Sequence, residues 1–324
     1  MNATKALGLP RLEEELKRVE PLLMSSVTTG DGFLDDVTTH LIAAGGKRLR
    51  PLLCLAAATA GERDATRDEL KGAVSVELVH LASLYHDDVI DEASVRRNVE
   101  SVNSRFGNLV AIVAGDYLLA RSAAIAADLG TEIAGLLADT LARLCEGQVS
   151  EVRSAFQVSR TREEYFSAIA GKTAALMATS CRIGAIIGGL ARDEIDAMTT
   201  YGQCVGMAFQ LRDDVLDIVA TNGELGKPAG QDLAEGIYTL PVLTALDDPD
   251  IAPELTTLLG IGLGRPERDK ARSLVAQSRG PFETVEVGRR YASLAKDAVS
   301  LISSPDLRKG FETFADSLVE DLLV

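Results

Sequence analysis

The sequence lacks tryptophan and is poor in aromatic residues, which make up 4% of its 324 residues. It also has no proline between Pro51 and Pro228, an interval in which apolar residues recur at three- and four-residue spacing. Because strands favour aromatic residues and helix interiors exclude proline, these absences predict helices. No linker-like composition separates two halves of the chain. We therefore predict an all-α protein in which residues 1–324 form a single large helical domain.

Cysteine, cationic residues and long apolar runs are scarce as well. Cys54, Cys145, Cys181 and Cys204 lack the CxxC spacing of zinc sites and redox pairs, and their apolar neighbours predict buried free thiols. The formal net charge of −15 excludes a nucleic-acid partner, because such a partner requires a basic surface. No signal-like stretch opens the sequence and no uninterrupted run of ~18 apolar residues occurs. We therefore expect a cytoplasmic protein without a transmembrane segment.

Glycine and proline mark the expected ends of the helices. They predict ten or more helices of ordinary to long length. The predicted breaks fall at Gly45-Gly46, Gly61, Gly107, Gly130, Gly171, Gly202, residues 221–236, Pro249, residues 260–266, Gly280-Pro281 and Pro305.

An acidic cluster stands in the stretch LYHDDVIDEASVRR, residues 84–97. Asp87, Asp88 and Asp91 would share one face of a helix, and the same face continues backward through His80 and Glu77. Since the rest of that helix is apolar, the acidic face is expected to line a cavity. Carboxylates at this density suit Mg²⁺, which commonly bridges them to substrate phosphates. The alternative is a solvated helix end whose charge is balanced by the two arginines that follow.

The same spacing is repeated in QLRDDVLD, residues 210–217, by Asp213, Asp214 and Asp217. Each copy comes late in an apolar helical run. Two carboxylate groups that face each other could hold a cluster of Mg²⁺ ions between them. Such a cluster favours a diphosphate, whose oxygens bridge the ions. The repetition therefore favours a metal-dependent diphosphate site over two solvated faces.

A glycine loop with three cations, GGKRLRP, covers residues 45–51. In a chain of negative net charge, the density of Lys47, Arg48 and Arg50 predicts an anion site. A helix C-terminus followed by cations that suit the helix dipole is the alternative. Further candidate phosphate ligands are Arg96, Arg97, Lys172, Thr173 and Lys227.

Together these segments resemble the trans-isoprenyl diphosphate synthases, the polyprenyl synthetase family. The resemblance is carried by GGKRLRP, ELVHLASLYHDDVIDEASVRR, GKTAAL, GMAFQLRDDVLD and GKPAGQDLAEG, in the family's order across residues 45–241. It implies a helical bundle with a central active-site cavity and a Mg²⁺-dependent condensation of isopentenyl diphosphate with an allylic diphosphate primer. It also implies a homodimer and a cluster of three Mg²⁺ ions, for which Mn²⁺ can substitute. Transient membrane contact is expected when a long insoluble product leaves.

The resemblance also implies roles for individual residues. The Mg²⁺ ligands would be Asp87, Asp88, Asp91, Asp213, Asp214 and Asp217. Isopentenyl diphosphate would be held by Lys47, Arg50, His80 and Arg97. The allylic diphosphate would be held by Arg96, Lys172, Thr173, Gln210 and Lys227. Ionisation of the allylic C–O bond would depend on Asp87, Asp88, Asp91, Arg96, Lys172, Asp213 and Lys227.

One position departs from the family pattern. Ile237, in EGIYTLP, stands where the family often has a lysine. That lysine would touch the allylic diphosphate, so its loss is expected to alter primer affinity. Activity should be retained because both aspartate clusters and the other cations are present.

By the same resemblance, product length depends on the residues just before the first aspartate cluster. Ala82 and Ser83 stand there, about one turn before Asp87, and both are small. Small side chains leave a tunnel open, so we expect a linear all-trans product longer than farnesyl, of C30 to C50. A geranylgeranyl product is the alternative.

Two other functions stay open at this point. A class I terpene cyclase is also helical and Mg²⁺-dependent, but it would not need the basic GGKRLRP segment, and its cavity is usually rich in aromatic residues. A non-catalytic subunit of a heteromeric synthase would share the fold, but loss of aspartates or arginines is expected there.

Overall fold

The structure is a computed structural model that describes residues 3–220, 229–260, 263–320 and 322. Up to residue 220 the helices are α1 (Ala3–Leu7), α2 (Leu12–Val27), α3 (Gly32–Ala43), α4 (Leu49–Thr59), α5 (Arg67–Ile90), α6 (Val102–Phe106), α7 (Asn108–Leu129), α8 (Thr131–Ser154), α9 (Arg162–Ile169), α10 (Ala175–Ile187) and α11 (Arg192–Val219). Later helices are α12 (Gln231–Ala234), α13 (Leu240–Leu246), α14 (Ala252–Leu258), α15 (Arg265–Gln277), α16 (Gly280–Val299) and α17 (Pro305–Ser317). The predicted all-α class is confirmed, whereas the single-domain organisation stays a prediction.

Helix α5 carries the first aspartate cluster. A capping box fixes its N-terminus: Oγ1 of Thr66 accepts a hydrogen bond from N–H of Glu69 (3.3 Å), and N–H of Thr66 donates to Oε2 of Glu69 (2.6 Å). Helices α4, α7 and α10 pack around α5, and side chains on all of its faces are buried. Such enclosure is typical of a core helix. The aspartates at its C-terminal end are therefore held on a rigid support.

Close helix packing explains why the break predicted at Gly202 is wrong. Gly202 lies within α11, and a Cβ there would stand 2.7 Å from the carbonyl oxygen of Met177 on α10. One turn later, a Cβ at Gly206 would stand 2.5 Å from Cα of Ala174. These glycines let two helices touch at backbone level and do not end the helix.

The break predicted at Gly171 is also wrong, because Ala170–Ala174 forms a π-helical turn that joins α9 to α10. A Cβ at Gly171 would stand 2.6 Å from the carbonyl oxygen of Arg143, and one at Gly147 would stand 2.6 Å from N of Lys172. Helix α8 and the π-helical turn thus approach through two glycines. Such turns are frequent at functional sites, and this one carries Lys172.

A small hairpin follows α5, although no strand was predicted. Strand β1 (Val95–Arg96) pairs antiparallel with β2 (Val99–Glu100). Between them, Arg97 and Asn98 have φ angles of 54° and 63°, the left-handed conformation that a type I′ turn requires. Arginine rarely adopts this conformation, so the sequence at these two positions did not predict a turn.

Helix α7 is, among the described helices, the one long and apolar enough by length and composition to cross a membrane. It packs along α5 and α8, and Ala111, Ala114 and Leu118 on one of its faces are buried. Core helices of globular proteins meet the same criteria. We therefore interpret α7 as a helix of the bundle.

The cysteines are mostly placed as predicted. Cys54, Cys181 and Cys204 are buried free thiols, and burial raises the pKa of the Cys54 and Cys181 thiols above their ordinary values. The prediction is wrong for Cys145, which is exposed on α8.

Candidate active site

The C-terminal end of α5 opens onto a cavity of about 660 Å³, here called the first cavity. Asp87 and Asp91 line it. The backbone N–H of Asp91 still donates to the carbonyl oxygen of Asp87 (2.8 Å), so both carboxylates belong to the last turn of the helix. Burial raises the pKa of Asp87 to about 6 and also raises the pKa of Asp91. Two partly desolvated carboxylates on one turn favour a bound cation.

The remaining aspartate of this cluster has a different environment. Asp88 is fully buried, and its Oδ1 accepts a hydrogen bond from Nε of Arg96 (2.6 Å). Its Oδ2 is buried and has no hydrogen-bond partner among the described residues. Arg96 itself lines the first cavity, whereas Asp88 does not. The structure therefore places Asp88 behind Arg96, where it fixes the guanidinium.

The π-helical turn contributes Lys172 and Thr173 to the wall of the first cavity. Nζ of Lys172 forms an ion pair with Oε1 of Glu151 on α8. Burial acts to lower the pKa of Lys172, but Glu151 and Asp87 outweigh it and hold that pKa above its ordinary value. The side chain is therefore a cation at neutral pH.

Within the second aspartate cluster, Asp214 is buried and lines the first cavity. Its Oδ2 accepts a hydrogen bond from the Tyr165 hydroxyl, and its Oδ1 accepts one from Nε2 of Gln210 (2.9 Å). Oε1 of Gln210 in turn accepts from Oγ1 of Thr173 (2.8 Å). Burial raises the pKa of Asp214 to about 7, although both hydrogen bonds oppose the shift. This network ties α9, α11 and the π-helical turn together at the cavity.

The other two aspartates of α11 do not line either cavity described here. Asp217 is buried, and its two carboxylate oxygens accept from the backbone N–H groups of Gln231 (3.3 Å) and Asp232 (3.2 Å). It thereby anchors the start of α12 to α11. Asp213 is exposed. Lys227 lies outside the described residues.

The oxygen donors of the first cavity fit a divalent ion of the Mg²⁺ type. In the described part of the chain, no three acidic, histidine or cysteine side chains form a ready-made metal site. Mg²⁺ does not require one, because waters and substrate phosphates usually complete its shell around one or two carboxylates. Asp87, Asp91 and Asp214 supply such carboxylates, and the described lining residues include no cysteine or histidine. This donor set favours hard cations over zinc.

A buried ionic cluster lies farther back along α5. Oε1 of Glu77 is 2.8 Å from Nη1 of Arg48 and 3.9 Å from Nη2 of Arg97. Burial raises the pKa of Glu77 although Arg48, Arg50 and Arg97 oppose the shift. Arg48 also pairs with Glu20 (2.6 Å). Both acidic partners hold Arg48 within the fold, which makes it a structural cation rather than a free anion ligand.

The GGKRLRP loop and the hairpin meet at Arg97. Nη1 of Arg97 donates to the carbonyl oxygens of Leu41 (3.1 Å) and Gly45. A Cβ at Gly46 would stand 2.9 Å from the guanidinium carbon of Arg97, so a side chain at this position would have to displace that guanidinium. Lys47 is exposed and lines neither cavity described here.

A second cavity of about 350 Å³ adjoins the first, and Asp87, Lys172 and Thr173 line both. Arg50 and His80 also line the second cavity. Burial, followed by the nearby Arg50, holds the pKa of His80 well below its ordinary value, so the imidazole is neutral. Much of the wall is apolar and is formed by Val79, Leu84, Ile90, Leu119, Leu141, Leu144 and Val149.

The two small residues proposed to control product length are in different environments. Ser83 lines the second cavity, and its Oγ donates to the carbonyl oxygen of His80 (2.8 Å). Ala82 is fully buried in the apolar core and is not among the described lining residues. A role in a tunnel therefore fits Ser83 and not Ala82.

The polar residues of the first cavity that sequence reasoning missed include Glu151, Arg160 and Tyr165. They lie outside the two aspartate clusters, on α8, before α9 and on α9. Tyr165 comes shortly before the GKTAAL segment, but no pattern in the residues linked it to Asp214. Ile237 lines the same cavity, and its proximity to a diphosphate stays a prediction.

Comparison with known proteins decides the family. The chain matches the polyprenyl synthetase family model over residues 31–276. The chain belongs to the polyprenyl synthetase family. As a member, it is a prenyltransferase, and the predicted family and reaction class are confirmed. The helices, the two aspartate clusters and the basic segment are the features from which this polyprenyl synthetase could be predicted.

Individual relatives agree with this assignment. Over 305 residues the chain is 38% identical to the nonaprenyl diphosphate synthase of Mycobacterium tuberculosis, which covers 93% of this chain and 91% of the relative. Over 282 residues it is 41% identical to heptaprenyl diphosphate synthase component 2 of Geobacillus stearothermophilus, and the match covers 87% of this chain and 86% of that relative. The crystal structure of a polyprenyl synthase from Caulobacter crescentus CB15, complexed with calcium and isoprenyl diphosphate, matches with a TM-score of 0.88 at 32% identity. The match covers 95% of this chain and 94% of that one. The names of these relatives agree with the predicted class of medium- and long-chain synthases.

Proposed function

We propose that this polyprenyl synthetase condenses isopentenyl diphosphate with an allylic diphosphate primer, with the two diphosphates held in adjoining cavities. The observation that carries the proposal is that Asp87, Lys172 and Thr173 line both cavities. The reacting ends of two substrates would therefore meet at a shared boundary. Such an arrangement supplies the proximity on which a bimolecular condensation depends.

In the first cavity, the primer's diphosphate is proposed to lie against Arg96 and Lys172, with polar contacts from Thr173 and Gln210. Asp88 orients Arg96, and the hydrogen bonds from Thr173 through Gln210 to Asp214 hold the opposing polar groups in register. We extend this set to Lys227 from the sequence resemblance. Fixed cations stabilise diphosphate more strongly as a leaving group than as an ester, because negative charge develops when the C–O bond ionises.

Mg²⁺ is proposed as the metal, with Asp87, Asp91 and Asp214 as the ligands that line the cavity. Asp213, which lines neither cavity described here, is added as a ligand from the sequence resemblance. When bound, the ion would supply positive charge that bridges carboxylate and diphosphate oxygens. Asp88 and Asp217 act differently in this proposal, since each is already engaged by neighbouring groups. They position Arg96 and the start of α12.

Isopentenyl diphosphate is proposed to bind on the other side of the boundary, at Arg50, which lines the second cavity. Arg97 and Lys47, which line neither cavity described here, are added to this set from the sequence resemblance. His80, whose imidazole is neutral, would offer a hydrogen bond rather than a charge. The carbon–carbon bond forms when the double bond of this substrate attacks the allylic cation, and the proton that is then lost passes to the departing diphosphate. Apolar walls protect the cation from water.

The growing chain is proposed to occupy the apolar second cavity and to reach C30 to C50. Small Ser83 leaves the wall open beside Asp87. Two other wall residues, Ile90 and Val149, are exposed, so the cavity opens to the surface near Asp91. We favour a long product over geranylgeranyl because two similar proteins are named nonaprenyl and heptaprenyl diphosphate synthases.

A homodimer is proposed as the working assembly. Leu109, Ile112 and Val113 form an exposed apolar stripe on α7 at helical spacing, and such a stripe is typical of a helix that packs against another chain. Because one relative is named as component 2 of its synthase, a different partner chain is the alternative. Light scattering on the purified chain, with its activity measured alone, distinguishes the two: an active dimer supports the homodimer, and an inactive monomer supports the second chain.

We place the enzyme in the cytoplasm, with transient membrane contact when the insoluble product leaves. Fractionation of cells and binding of product-loaded enzyme to lipid vesicles test the two statements separately.

The reaction is tested by incubating the purified protein with Mg²⁺, isopentenyl diphosphate and, separately, geranyl, farnesyl and geranylgeranyl diphosphates. Mass analysis should show a ladder that ends at one linear diphosphate of C30 to C50. Cyclic hydrocarbon would indicate a cyclase instead, and a chain that elongates no primer would indicate a non-catalytic subunit.

A further inference from the structure

Arg160, in the connection between α8 and α9, is a buried cation in the wall of the first cavity. Its side chain lines the cavity, yet the residue is only 6% exposed. Its Nη1 donates to the carbonyl oxygen of Tyr238 (3.2 Å), and its Cζ lies 5.6 Å from the centroid of the Tyr165 ring. These two contacts hold the guanidinium in one place.

Two donors of this guanidinium lack a hydrogen-bond acceptor within the described part of the chain. Nε and Nη2 of Arg160 are buried and make no hydrogen bond to any described residue. The described carboxylates near Arg160 have other partners. Glu151 pairs with Lys172, Asp214 accepts from Tyr165 and Gln210, and Glu164 accepts from the backbone N–H of Thr161. A buried guanidinium without an anionic partner is unfavourable. Arg160 is thus a held cation in a residue that lines the cavity, with two donors for which the described residues supply no acceptor.

We propose that Arg160 binds the diphosphate of the allylic primer through Nε and Nη2. The pair of adjacent N–H groups matches two oxygens of one phosphate, a geometry that guanidinium offers and ammonium does not. This inference rests on the proposed function, because it assigns Arg160 to the diphosphate that the first cavity would hold. It adds a cation from the connection before α9 to those of the hairpin and the π-helical turn.

The surroundings of Arg160 explain why this side chain is suited to the role. It reaches across to Tyr238, the residue after Ile237, and Ile237 lines the same cavity without a charge. N–H of Phe156 donates to the carbonyl oxygen of Gly236 (2.9 Å), which fixes the two segments side by side. Arg160 therefore supplies positive charge to a part of the wall where residue 237 has none.

The test replaces Arg160 by glutamine and by lysine and measures KM for each substrate in turn. R160Q should raise KM for the allylic primer by roughly 10- to 100-fold, because a charge-assisted hydrogen-bond pair is lost. KM for isopentenyl diphosphate should stay within about twofold, since that substrate lies in the other cavity. R160K keeps the charge but not the paired donors, so its KM for the primer should fall between those of wild type and R160Q.

Arg162 provides the matched control. It lies two residues farther on, its side chain is 40% exposed, and it pairs with Asp247 (2.8 Å) outside the cavity. R162Q should leave both KM values unchanged.

A second readout does not depend on turnover. Inorganic diphosphate with Mg²⁺ should raise the melting temperature of wild type and R162Q, and this shift should be reduced in R160Q. If R160Q does not fold, the KM values and the melting shift are measured on R160K, since this variant keeps the cation and most of the packing.

Equal primer KM and equal diphosphate-induced melting shifts in wild type and in the Arg160 variant would overturn the proposal. So would a parallel rise of both KM values, which is the result for a residue that only supports the fold. If wild type elongates no primer, the proposed function fails, but a diphosphate-induced shift that depends on Arg160 would still identify it as an anion ligand.

Discussion

Nη1 of Arg48 lies 2.8 Å from Oε1 of Glu77, and both side chains are almost completely buried. Arg97 approaches the same carboxylate oxygen at 3.9 Å. A single buried carboxylate thus joins the start of α4, helix α5 and the turn between the two strands. Because Arg50 belongs to α4 and Arg97 to that turn, this relationship sets the spacing of the cations proposed to hold isopentenyl diphosphate.

Replacing Glu77 by glutamine should therefore destabilise the protein and weaken isopentenyl diphosphate binding. Removing one member of a buried ion pair leaves an uncompensated charge, which costs about 3–5 kcal/mol of unfolding free energy. Glu20 is the control, because it pairs with the same Arg48 but is 44% exposed. E20Q should cost only about 0–1 kcal/mol. Denaturant unfolding of the two variants checks the difference, and equal losses would contradict the central role of Glu77.

Tyr165 is predicted to matter for catalysis, although sequence reasoning missed it. Y165F removes the hydrogen bond to Oδ2 of Asp214, and loss of a hydrogen bond to a charged group is worth about 1.5–3 kcal/mol. We expect kcat/KM to fall by roughly 10- to 100-fold. Tyr201 is also buried, but its hydroxyl donates to the carbonyl oxygen of Phe311 (2.8 Å) away from the cavity. Y201F should lower stability while kcat/KM stays near that of wild type; similar kinetic losses in both would refute the catalytic prediction.

Much of this architecture could be predicted from the residues. The aspartate spacing predicted that both clusters lie on helices, because a period of three and four residues depends only on neighbouring positions in the chain. The different contacts of the aspartates within each cluster could not be predicted. Asp88 contacts Arg96 because of the hairpin, and Asp217 binds the start of α12 because of the loop before it. The helix end predicted at Gly202 was wrong for the same reason. A glycine that permits close helix packing cannot be distinguished from one that ends a helix until the neighbouring helix is known.

Product length is predicted to respond to Ser83 and not to Ala82. S83F would place a ring in the wall of the second cavity, so a folded enzyme with a shorter product is expected. A82F would insert the same ring into a packed core, where overpacking costs about 1–3 kcal/mol. Mass analysis of products, together with melting curves, separates the two effects. An S83F enzyme that makes the wild-type product would show that the chain grows elsewhere.

A lysine at position 237 is predicted to tighten primer binding. Ile237 lines the first cavity, so I237K would add a cation near the primer's diphosphate and should lower KM for the primer several-fold. The gain should shrink at high ionic strength, because salt screens the added charge. Leu301 is exposed and lines neither cavity, so L301K controls for the change in net charge. The prediction fails if both variants alter KM equally.

The central claim is that two adjoining cavities hold two different diphosphates, and its most direct test is the pair of KM values in variants R50Q and K172Q. Arg50 lines only the second cavity of the two, whereas Lys172 stands at their boundary and is proposed to contact the primer's diphosphate. R50Q should raise KM for isopentenyl diphosphate by roughly 10-fold or more and leave KM for the primer nearly unchanged. K172Q should raise KM for the primer by a similar factor. If R50Q instead raised KM for both substrates equally, or for the primer alone, the assignment of the two cavities would be wrong.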